Sequence, residues 1–582
     1  MSSDTLLHEF PPVSTQAWED LIAKDLKGAD YASKLMWQTE EGLAVKPYYR
    51  SEDIASLEYL DAAAPGNFPF VRGDRATADW CIREEIEALE PVEANRAACA
   101  AVVAGAEEIA FLQAQVAGAP DLAVLLAHLQ EIPVHFQNAN EALMRLLLDR
   151  KPNSRVSTGW DPFKNLDFAA EVIAKFPATL VPFTISGSEF EESGATAVQE
   201  IGFTLSAGID FLAEMQSRKS DIDRAAASVT FSFAVGSNYF FQIAKLRAFR
   251  LLWARAVESF GGTREGAKAR IHARTSRWNE TIYDPHVNIL RGTTEAMSAA
   301  LGGADSISVA PFDECYKTPD EASRRLARNT QILLKQEALL SRVADPGGGS
   351  YCLEVITDFI ARAGWRTMQA IEAAGGYRKA STDGQIRREV QQSLAAKEKA
   401  VGSRRRIFTG TNQHANLTEK ALERVDESRL SQGGHRGAEI YERLRLRTER
   451  HADAGGRVPH VLLAEIGDVK MRAARSNFAA NFFGCAGFDI LTQRFDSVAE
   501  IEAAASEVEL VVLCSSDPEY LPLAVDLIAK LKAAGRKAFV IVAGYPDSVE
   551  QLKTAGVADF VHVRSNPIEV LTKWQDQMGV KK

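Results

Sequence analysis

Three closely spaced carboxylates are the first candidates for chemistry in this sequence. Glu189, Glu191 and Glu192 follow Leu180–Ser186, a short apolar run that is typical of a strand. Neighbouring carboxylates can shift one another's pKa values and so divide acid and base roles. A solvated loop that leads into a helix N-terminus, where glutamate is electrostatically favoured, accounts for the same residues. We prefer this structural interpretation and keep acid–base work as the alternative.

Two histidines are further candidates. His286 follows the end of a predicted strand, where it could act as a general base, but a hydrogen-bonded loop histidine is the preferred interpretation. His272 alternates with apolar neighbours, which is typical of a satisfied barrel residue. No Ser-His-Asp set, HExxH, P-loop or GxGxxG motif stands out. The sequence therefore predicts no catalytic residue and no metal ligand of this chain's own.

The six cysteines are widely separated and none forms a CxxC pair. This spacing favours buried, reduced thiols in a cytoplasmic protein over a metal site or a disulfide framework. The first 14 residues have no basic region followed by a long apolar run, so we expect neither a signal peptide nor a membrane span. The net charge of -11 argues against a nucleic-acid or anionic-membrane partner.

Alternating strand-like and helix-like segments between residues 79 and 312 supply the elements that would position these groups. About eight strand–helix units over this length predict a β/α (TIM) barrel, although an open doubly wound sheet has the same periodicity. The predicted strands are Asp79–Arg83, Glu108–Leu112, Pro133–Gln137, Arg155–Thr158, Leu180–Ser186, Val229–Val235, Ile271–Thr275 and Ser306–Pro311.

Four segments follow from composition and periodicity. Residues 1–60 lack a core of their own and form an N-terminal arm. Residues 61–400 hold the barrel and three long helices after it, residues 401–457 form a basic, polar linker, and residues 458–582 form a compact, flavodoxin-like α/β domain with a parallel sheet. Its predicted strands are His460–Glu465, Glu509–Cys514, Ala538–Ala543 and Phe560–His562.

Several stretches in consistent order resemble the methylmalonyl-CoA mutase family. Together they span most of the chain, and the blocks at 328–331 and 345–351 are specific in combination. The matching stretches are Pro65–Gly73, Glu191–Glu200, Ala244–Ala248, Gly302–Ser306, Ala327–Gln331 and Asp345–Tyr351. The resemblance implies an acyl-CoA-binding barrel joined to a domain that binds adenosylcobalamin, which supplies the radical that interconverts methylmalonyl-CoA and succinyl-CoA.

The chain departs from the catalytic members at the places that would hold cofactor and substrate. Their first strand of the last domain runs into Asp-x-His-x-x-Gly, whose histidine ligates cobalt; a hand alignment places Met471 there, after Gly467. The later Ser-x-Leu and Gly-Gly elements correspond to Ser515 and Gly544, again degenerate. Glu189 takes the place of a barrel histidine that works beside the substrate. We therefore expect no cofactor to be bound at these positions.

Within the resembled family, this joint loss fits a non-catalytic subunit. A homologous large catalytic subunit would bind adenosylcobalamin and the acyl-CoA, and the arm at 1–60 would contact that partner. The barrel bore would then be filled, with Phe231, Phe233 and His272 as candidate fillers. Two alternatives stay open: a self-sufficient acyl-CoA mutase with an atypical base, Glu189 or His286, and a cobalamin-delivery factor, which would lack the usual nucleotide-hydrolysis motif.

Overall fold

A computed structural model describes residues 12–61, 63–430 and 435–581 of the chain. The predicted arm at 1–60 and linker at 401–457 therefore include residues 1–11 and 431–434, which lie outside the described residues. The described chain forms two parallel sheets with their helices and one two-stranded hairpin, Trp37–Gln38 with Ala44–Val45.

The first sheet is a barrel, as the sequence predicts, and not an open sheet. Its described strands are β1 Cys81–Ile86, β2 Glu108–Phe111, β3 Val134–Phe136, β4 Val156–Thr158, β5 in two segments Leu180–Val181 and Phe183–Ser186, β6 Val229–Val235, β7 Arg270–Thr275 and β8 Ser306–Ser308. Each strand pairs in parallel with the next, and β8 pairs with β1. Pro182 interrupts β5, whose first segment pairs with β4 and whose second pairs with β6, so β5 completes the ring.

Helices surround the ring because the outward side chains of the strands are apolar. Phe231 on β6, for example, packs edge-on against Phe249 and Trp253 of a surrounding helix, with ring centroids 4.7 Å apart in both pairs. The helices around the barrel are Pro91–Val103, Ala119–Leu125, Glu141–Arg150, Leu166–Lys175, Ser188–Glu192, Ala197–Ser217, Ile222–Ala227, Tyr239–Ser259, Val287–Leu301 and Glu321–Ile332.

Ion pairs join the barrel to the helix that follows it, and they involve the stretches that carry the family resemblance. Arg247 donates to Glu354 at 2.7 Å and pairs with Asp345, which also accepts a hydrogen bond from Arg72 at 2.8 Å. The helices of this region and of the linker are Tyr351–Ala373, Tyr377–Thr382, Gln385–Gly402, Glu427–Leu430 and Glu439–Asp453. The resemblance therefore follows the buried framework of the protein.

The second sheet has the flavodoxin-like strand order β10-β9-β11-β12-β13. Its strands are β9 His460–Glu465, β10 Asp489–Arg494, β11 Leu510–Cys514, β12 Phe539–Val542 and β13 Asp559–Phe560. Its helices are Val469–Gly484, Val498–Ala504, Tyr520–Ala533, Val549–Ala555 and Pro567–Gln577. The four strands predicted here omit β10, which lies at the edge of the sheet and is largely exposed, so it lacks the apolar run that marks its neighbours.

The described part of the N-terminal arm lies on the barrel without forming a core. Its helices are Thr15–Asp25 and Tyr31–Leu35, neither of which buries a residue. Trp37 packs against Phe241 of a barrel helix, and Tyr59 donates a hydrogen bond to Glu354. Among the described helices, none combines the length and the apolar character needed to cross a bilayer.

Candidate functional site

The switch point of the second sheet is the place where this fold class holds ligands. The strand order reverses between β9 and β11, so a crevice forms beyond the carboxyl ends of these two strands. Gly467 and Asp468 follow β9, and Ser515 and Ser516 follow β11. The sequence-predicted positions Gly467 and Ser515 therefore face each other across the crevice.

The side chain of Glu519 bridges the two loops that border this crevice. Its carboxylate accepts hydrogen bonds from Ser515 Oγ at 2.7 Å and Ser516 Oγ at 2.6 Å. It also accepts from the backbone N–H of Asp468 at 3.2 Å, which ties the β11 loop to the β9 loop. The hydroxyls of Ser516 and Ser515 hold the pKa of Glu519 down to about 2. Gly467 has φ +80°, and a side chain there would clash with the Glu519 carboxylate.

Met471 lies in the first turn of the helix that follows β9. Asp468 caps this helix, accepting a hydrogen bond from the N–H of Met471 at 2.8 Å. Counted from Asp468, the spacing Asp-x-His would place Lys470 rather than Met471 at the histidine position. Neither side chain carries an imidazole, so the cobalt ligand of the resembled motif is missing under both alignments.

Tyr520 closes the remaining side of the crevice. Its hydroxyl donates to Ala543 O at 2.7 Å and accepts from the N–H of Ser515 at 3.2 Å. A side chain added at Gly544 would meet the Tyr520 ring at 3.1 Å. The structure therefore gathers Gly467, Ser515 and Gly544 around two residues that the sequence interpretation missed.

One sequence signal could have revealed Glu519. Ser516 and Glu519 have the spacing of a capping box, in which the serine and the glutamate each bond the other's backbone. This spacing indicates that the glutamate folds back over the β11 loop. Adenosylcobalamin, the cofactor implied by the resemblance, does not fit these residues, because Glu519 ties the β9 and β11 loops together and neither Lys470 nor Met471 supplies the imidazole of the motif.

At the carboxyl end of the barrel, paired charges occupy the space above the bore. Arg274 at the end of β7 donates to both oxygens of Glu85, at 3.2 Å or less, and to Glu314 at 2.7 Å. Burial raises the pKa of Glu280 to about 8, and the nearby Glu314 adds to this effect. Glu280 is therefore mostly protonated at neutral pH. At the carboxyl end of the barrel, the positive charge of Arg274 is thus paired with the carboxylates of Glu85 and Glu314.

The candidate acid–base residues of the sequence do not meet at this end of the barrel. Glu191 is buried and accepts a hydrogen bond from Ser276 Oγ at 2.8 Å, whereas Glu189 is exposed. His286 is also exposed and stacks on Phe312, with ring centroids 5.2 Å apart. Glu189 and His286 therefore lie at the surface.

Polar side chains fill the bore of the barrel. Arg83 donates to Glu108 at 2.8 Å, and both side chains are at most 6% exposed. His135 bonds Ser157 Oγ at 2.9 Å, and His272 bonds Ser306 Oγ at 2.9 Å. Burial, reinforced by the charge of Arg83, lowers the pKa of both histidines, that of His135 to about 3. Both histidines are therefore neutral within this buried polar layer.

The filled bore agrees with the sequence prediction, but two of the three predicted fillers are wrong. His272 lies in the bore. Phe231 and Phe233 point outward, and both pack on Phe249 of a surrounding helix. Polar residues of β6, such as Ser232, face inward instead. Ser232 lies at the position of β6 that is opposite His272 on the neighbouring strand β7.

The N-terminal arm presents an apolar surface to solvent. Trp18 and Leu21 on helix Thr15–Asp25 are 43% and 55% exposed. Trp18 stacks on Tyr48 at 4.4 Å between ring centroids, so the exposed indole is held in a fixed position. A rigid aromatic surface of this kind is typical of a protein contact.

Comparison with known proteins gives consistent matches along the chain. A family model described as methylmalonyl-CoA mutase matches residues 38–119 and 164–456. The chain is 38% identical to the methylmalonyl-CoA mutase small subunit of Porphyromonas gingivalis, over 99% of both chains. It is 33% identical to the small subunit of Streptomyces virginiae, over 99% of this chain and 98% of that protein. The methylmalonyl-CoA mutase of Escherichia coli K12 is 30% identical over 69% of this chain and 64% of its own length.

Proposed function

Because this chain belongs to the methylmalonyl-CoA mutase family, we propose that it is the non-catalytic small subunit of a heterodimeric methylmalonyl-CoA mutase. A homologous large subunit would bind adenosylcobalamin and the acyl-CoA, and this chain would support the interconversion of methylmalonyl-CoA and succinyl-CoA. The family is one of isomerases. The relatives that match along their whole length are named small subunits, which supports pairing with a large subunit.

The observation that carries the proposal is the occupied crevice of the second domain. Glu519 takes the space at the switch point, and its anionic carboxylate is satisfied by hydrogen bonds within the chain. A cofactor would have to displace these bonds and would then find no imidazole at the position of the motif's histidine. The domain keeps the fold of a ligand-binding module while its ligand site is filled, which is expected of a subunit that supports a partner.

The filled bore supports the same assignment. A substrate that threads the barrel needs an open axis, whereas the Arg83–Glu108 pair and the two histidines close it here. The acyl-CoA would therefore bind to the partner. We assign the contact with that partner to the arm at residues 1–60, because Trp18 and Leu21 are exposed on its first described helix.

No observation favours the self-sufficient acyl-CoA mutase. That alternative requires Glu189 or His286 to reach a substrate in the barrel, yet both side chains lie at the surface. Glu191, which is buried nearby, already binds Ser276. Neither residue that this alternative names therefore lies where a substrate in the barrel would need it.

Co-expression with the large subunit tests the proposal. We expect a 1:1 complex that interconverts methylmalonyl-CoA and succinyl-CoA, and no turnover by this chain alone. Glu189→Gln in the complex should leave the turnover unchanged, whereas the self-sufficient alternative predicts its loss. Turnover by the purified single chain would contradict the proposal.

A further inference from the structure

A pocket of about 420 Å³ lies outside the barrel, between the helices Tyr239–Ser259 and Tyr351–Ala373. No strand of the barrel contributes a residue to it, so it is separate from both ends of the bore. We call this cavity the helix pocket. Its apolar lining residues are Pro69, Leu251, Leu252, Ala361 and Trp365. A preformed apolar cavity with a few polar groups at its edge is typical of a small-molecule site.

The two helices that form the helix pocket are held firmly together. Arg247 of the first helix donates to Glu354 of the second at 2.7 Å. Gly364 allows a close approach, since a Cβ atom there would lie 3.7 Å from Leu252. Tyr59, which also borders the pocket, donates a hydrogen bond to Glu354 at 3.2 Å. The walls of the pocket are therefore fixed before any ligand enters.

Three arginines stand at the edge of the helix pocket, and two of them have partners. Arg255 pairs with Glu258 at 2.9 Å, and Arg362 pairs with Asp358 at 2.7 Å. Arg366 is exposed, and no described residue forms a hydrogen bond or an ion pair with it. The guanidinium of Arg366 therefore remains available to an anionic group.

The balance of charge agrees with one available guanidinium. The helix pocket and the cavity beside it share Arg255 and Arg362, and together they are lined by five cations and four carboxylates. The cations are Arg255, Arg264, Lys268, Arg362 and Arg366, and the carboxylates are Glu58, Glu258, Glu265 and Asp358. One positive charge is left over, which matches a ligand that carries a single negative charge.

The volume of the helix pocket limits the apolar part of such a ligand. A methylene group is similar in size to a water molecule, which takes about 30 Å³ in the liquid, so the pocket holds roughly fourteen such groups. Decanoate has slightly fewer non-hydrogen atoms than this limit. An unbranched acid of this length would therefore fill the pocket without having to move the helices.

We propose that the helix pocket binds an aliphatic monocarboxylate of medium chain length. The chain would lie against Leu251, Leu252 and Trp365, and the carboxylate would accept charge-assisted hydrogen bonds from Arg366. The pocket lies in this chain alone, so this binding site goes beyond the proposed function and does not depend on it.

Calorimetric titration of the full chain with decanoate, below the concentration at which decanoate forms micelles, tests this proposal. We expect one saturable site. Arg366→Met should weaken binding about tenfold, because a hydrogen bond to a charged group is lost, and Arg366→Lys should restore part of the affinity. Arg387→Met is the matched control, because Arg387 is also an exposed arginine without an ion pair in the described structure, on the helix Gln385–Gly402.

Two further kinds of ligand separate the apolar contribution from the charged one. Octanoate and hexanoate should bind more weakly than decanoate, by about fourfold for each methylene removed from the pocket. Decanol keeps the chain but lacks the charge, so the wild type and the Arg366→Met variant should bind it with equal affinity. Equal binding of decanol would also show that the variant keeps a folded pocket.

Three results would overturn the proposal. The first is equal decanoate affinity of the wild type and the Arg366→Met variant. The second is an affinity that does not depend on chain length, because this would show only attraction of charge at the surface. The third is uptake of decanoate without saturation, because this would show general adsorption to apolar surface.

Discussion

Glu519→Gln is the substitution that most directly tests how the second domain has replaced a ligand with its own side chain. The wild-type carboxylate accepts hydrogen bonds from Ser515, Ser516 and Asp468 across the crevice. An amide keeps the shape but loses the charge that strengthens these bonds, and its NH2 group faces donors. We expect the β9 and β11 loops to open more easily.

The magnitude follows from the low pKa of Glu519. The ordinary value is 4.5 and the folded value is about 2, and each tenfold change in proton affinity corresponds to about 1.4 kcal/mol. The full effect would be about 3.5 kcal/mol; because Glu519 is partly exposed, we expect about 1.5 kcal/mol. The carboxylate pKa is lowered by folding, so this stabilisation is complete above pH 4.5 and disappears as the pH falls towards 2.

Hydrogen exchange of the full chain, followed by mass spectrometry, measures this effect. Peptides that cover β9 and β11 should show an opening free energy about 1.5 kcal/mol lower in the variant at pH 7, and about half that difference at pH 3. Glu550→Gln is the control, because Glu550 forms only an exposed pair with Lys553. Equal opening of the wild type and the Glu519→Gln variant at pH 7 would show that the Glu519 carboxylate does not hold the two loops together, as would a difference that does not shrink in acid.

Three further predictions concern the barrel and the arm. Lys245→Met should destabilise the chain by about 3–5 kcal/mol, measured by urea denaturation, since Lys245 and Glu200 form a buried pair at 2.6 Å; adding Glu200→Leu should recover part of the loss, and purely additive effects would contradict a direct coupling. The wild type should lose stability between pH 5 and pH 7, because the pKa of Glu280 is raised to about 8 in the folded chain and the unfolded chain releases this proton first. Glu280→Gln should make this loss about 2 kcal/mol smaller; stability profiles of the two proteins that run parallel with pH would contradict this. Trp18→Ser combined with Leu21→Ser should weaken the heterodimer at least tenfold in sedimentation experiments without moving the denaturation midpoint of the single chain, and an unchanged affinity would exclude the arm from the interface.

Several barrel strands were predictable because a short apolar run is followed by a helix. Strand β1 lies at Cys81–Ile86 and not at the predicted Asp79–Arg83, because charged residues interrupt its apolar pattern. Val229–Val235 matches its predicted bounds, and Ser306–Ser308 is shorter than predicted because the chain leaves the sheet before Pro311. Strand β10 was not predictable, because an exposed edge strand needs no apolar face. The phase of β6 was not predictable either: parallel barrel strands are buried on both sides, so alternation alone could not show that Phe231 faces the helices.

The candidate site was predictable only in outline. Gly467, Ser515 and Gly544 could be placed at strand ends, and the missing imidazole was visible in the sequence. The roles of Glu519 and Tyr520 depend on side chains that fold back across a crevice, which is a tertiary contact. Glu189 and Glu191 lie on the same short helix, and their spacing in the sequence did not show which of them faces the barrel. In the structure Glu191 does so, through its hydrogen bond with Ser276.

Titration of adenosylcobalamin, followed by absorbance, tests whether this chain alone keeps a cofactor site. The purified chain should cause no spectral change at micromolar cofactor, because Glu519 occupies the crevice and neither Lys470 nor Met471 provides an imidazole. The complex with the large subunit should bind one equivalent. Stoichiometric binding by the single chain, with cobalt ligated by one of its side chains, would contradict the account.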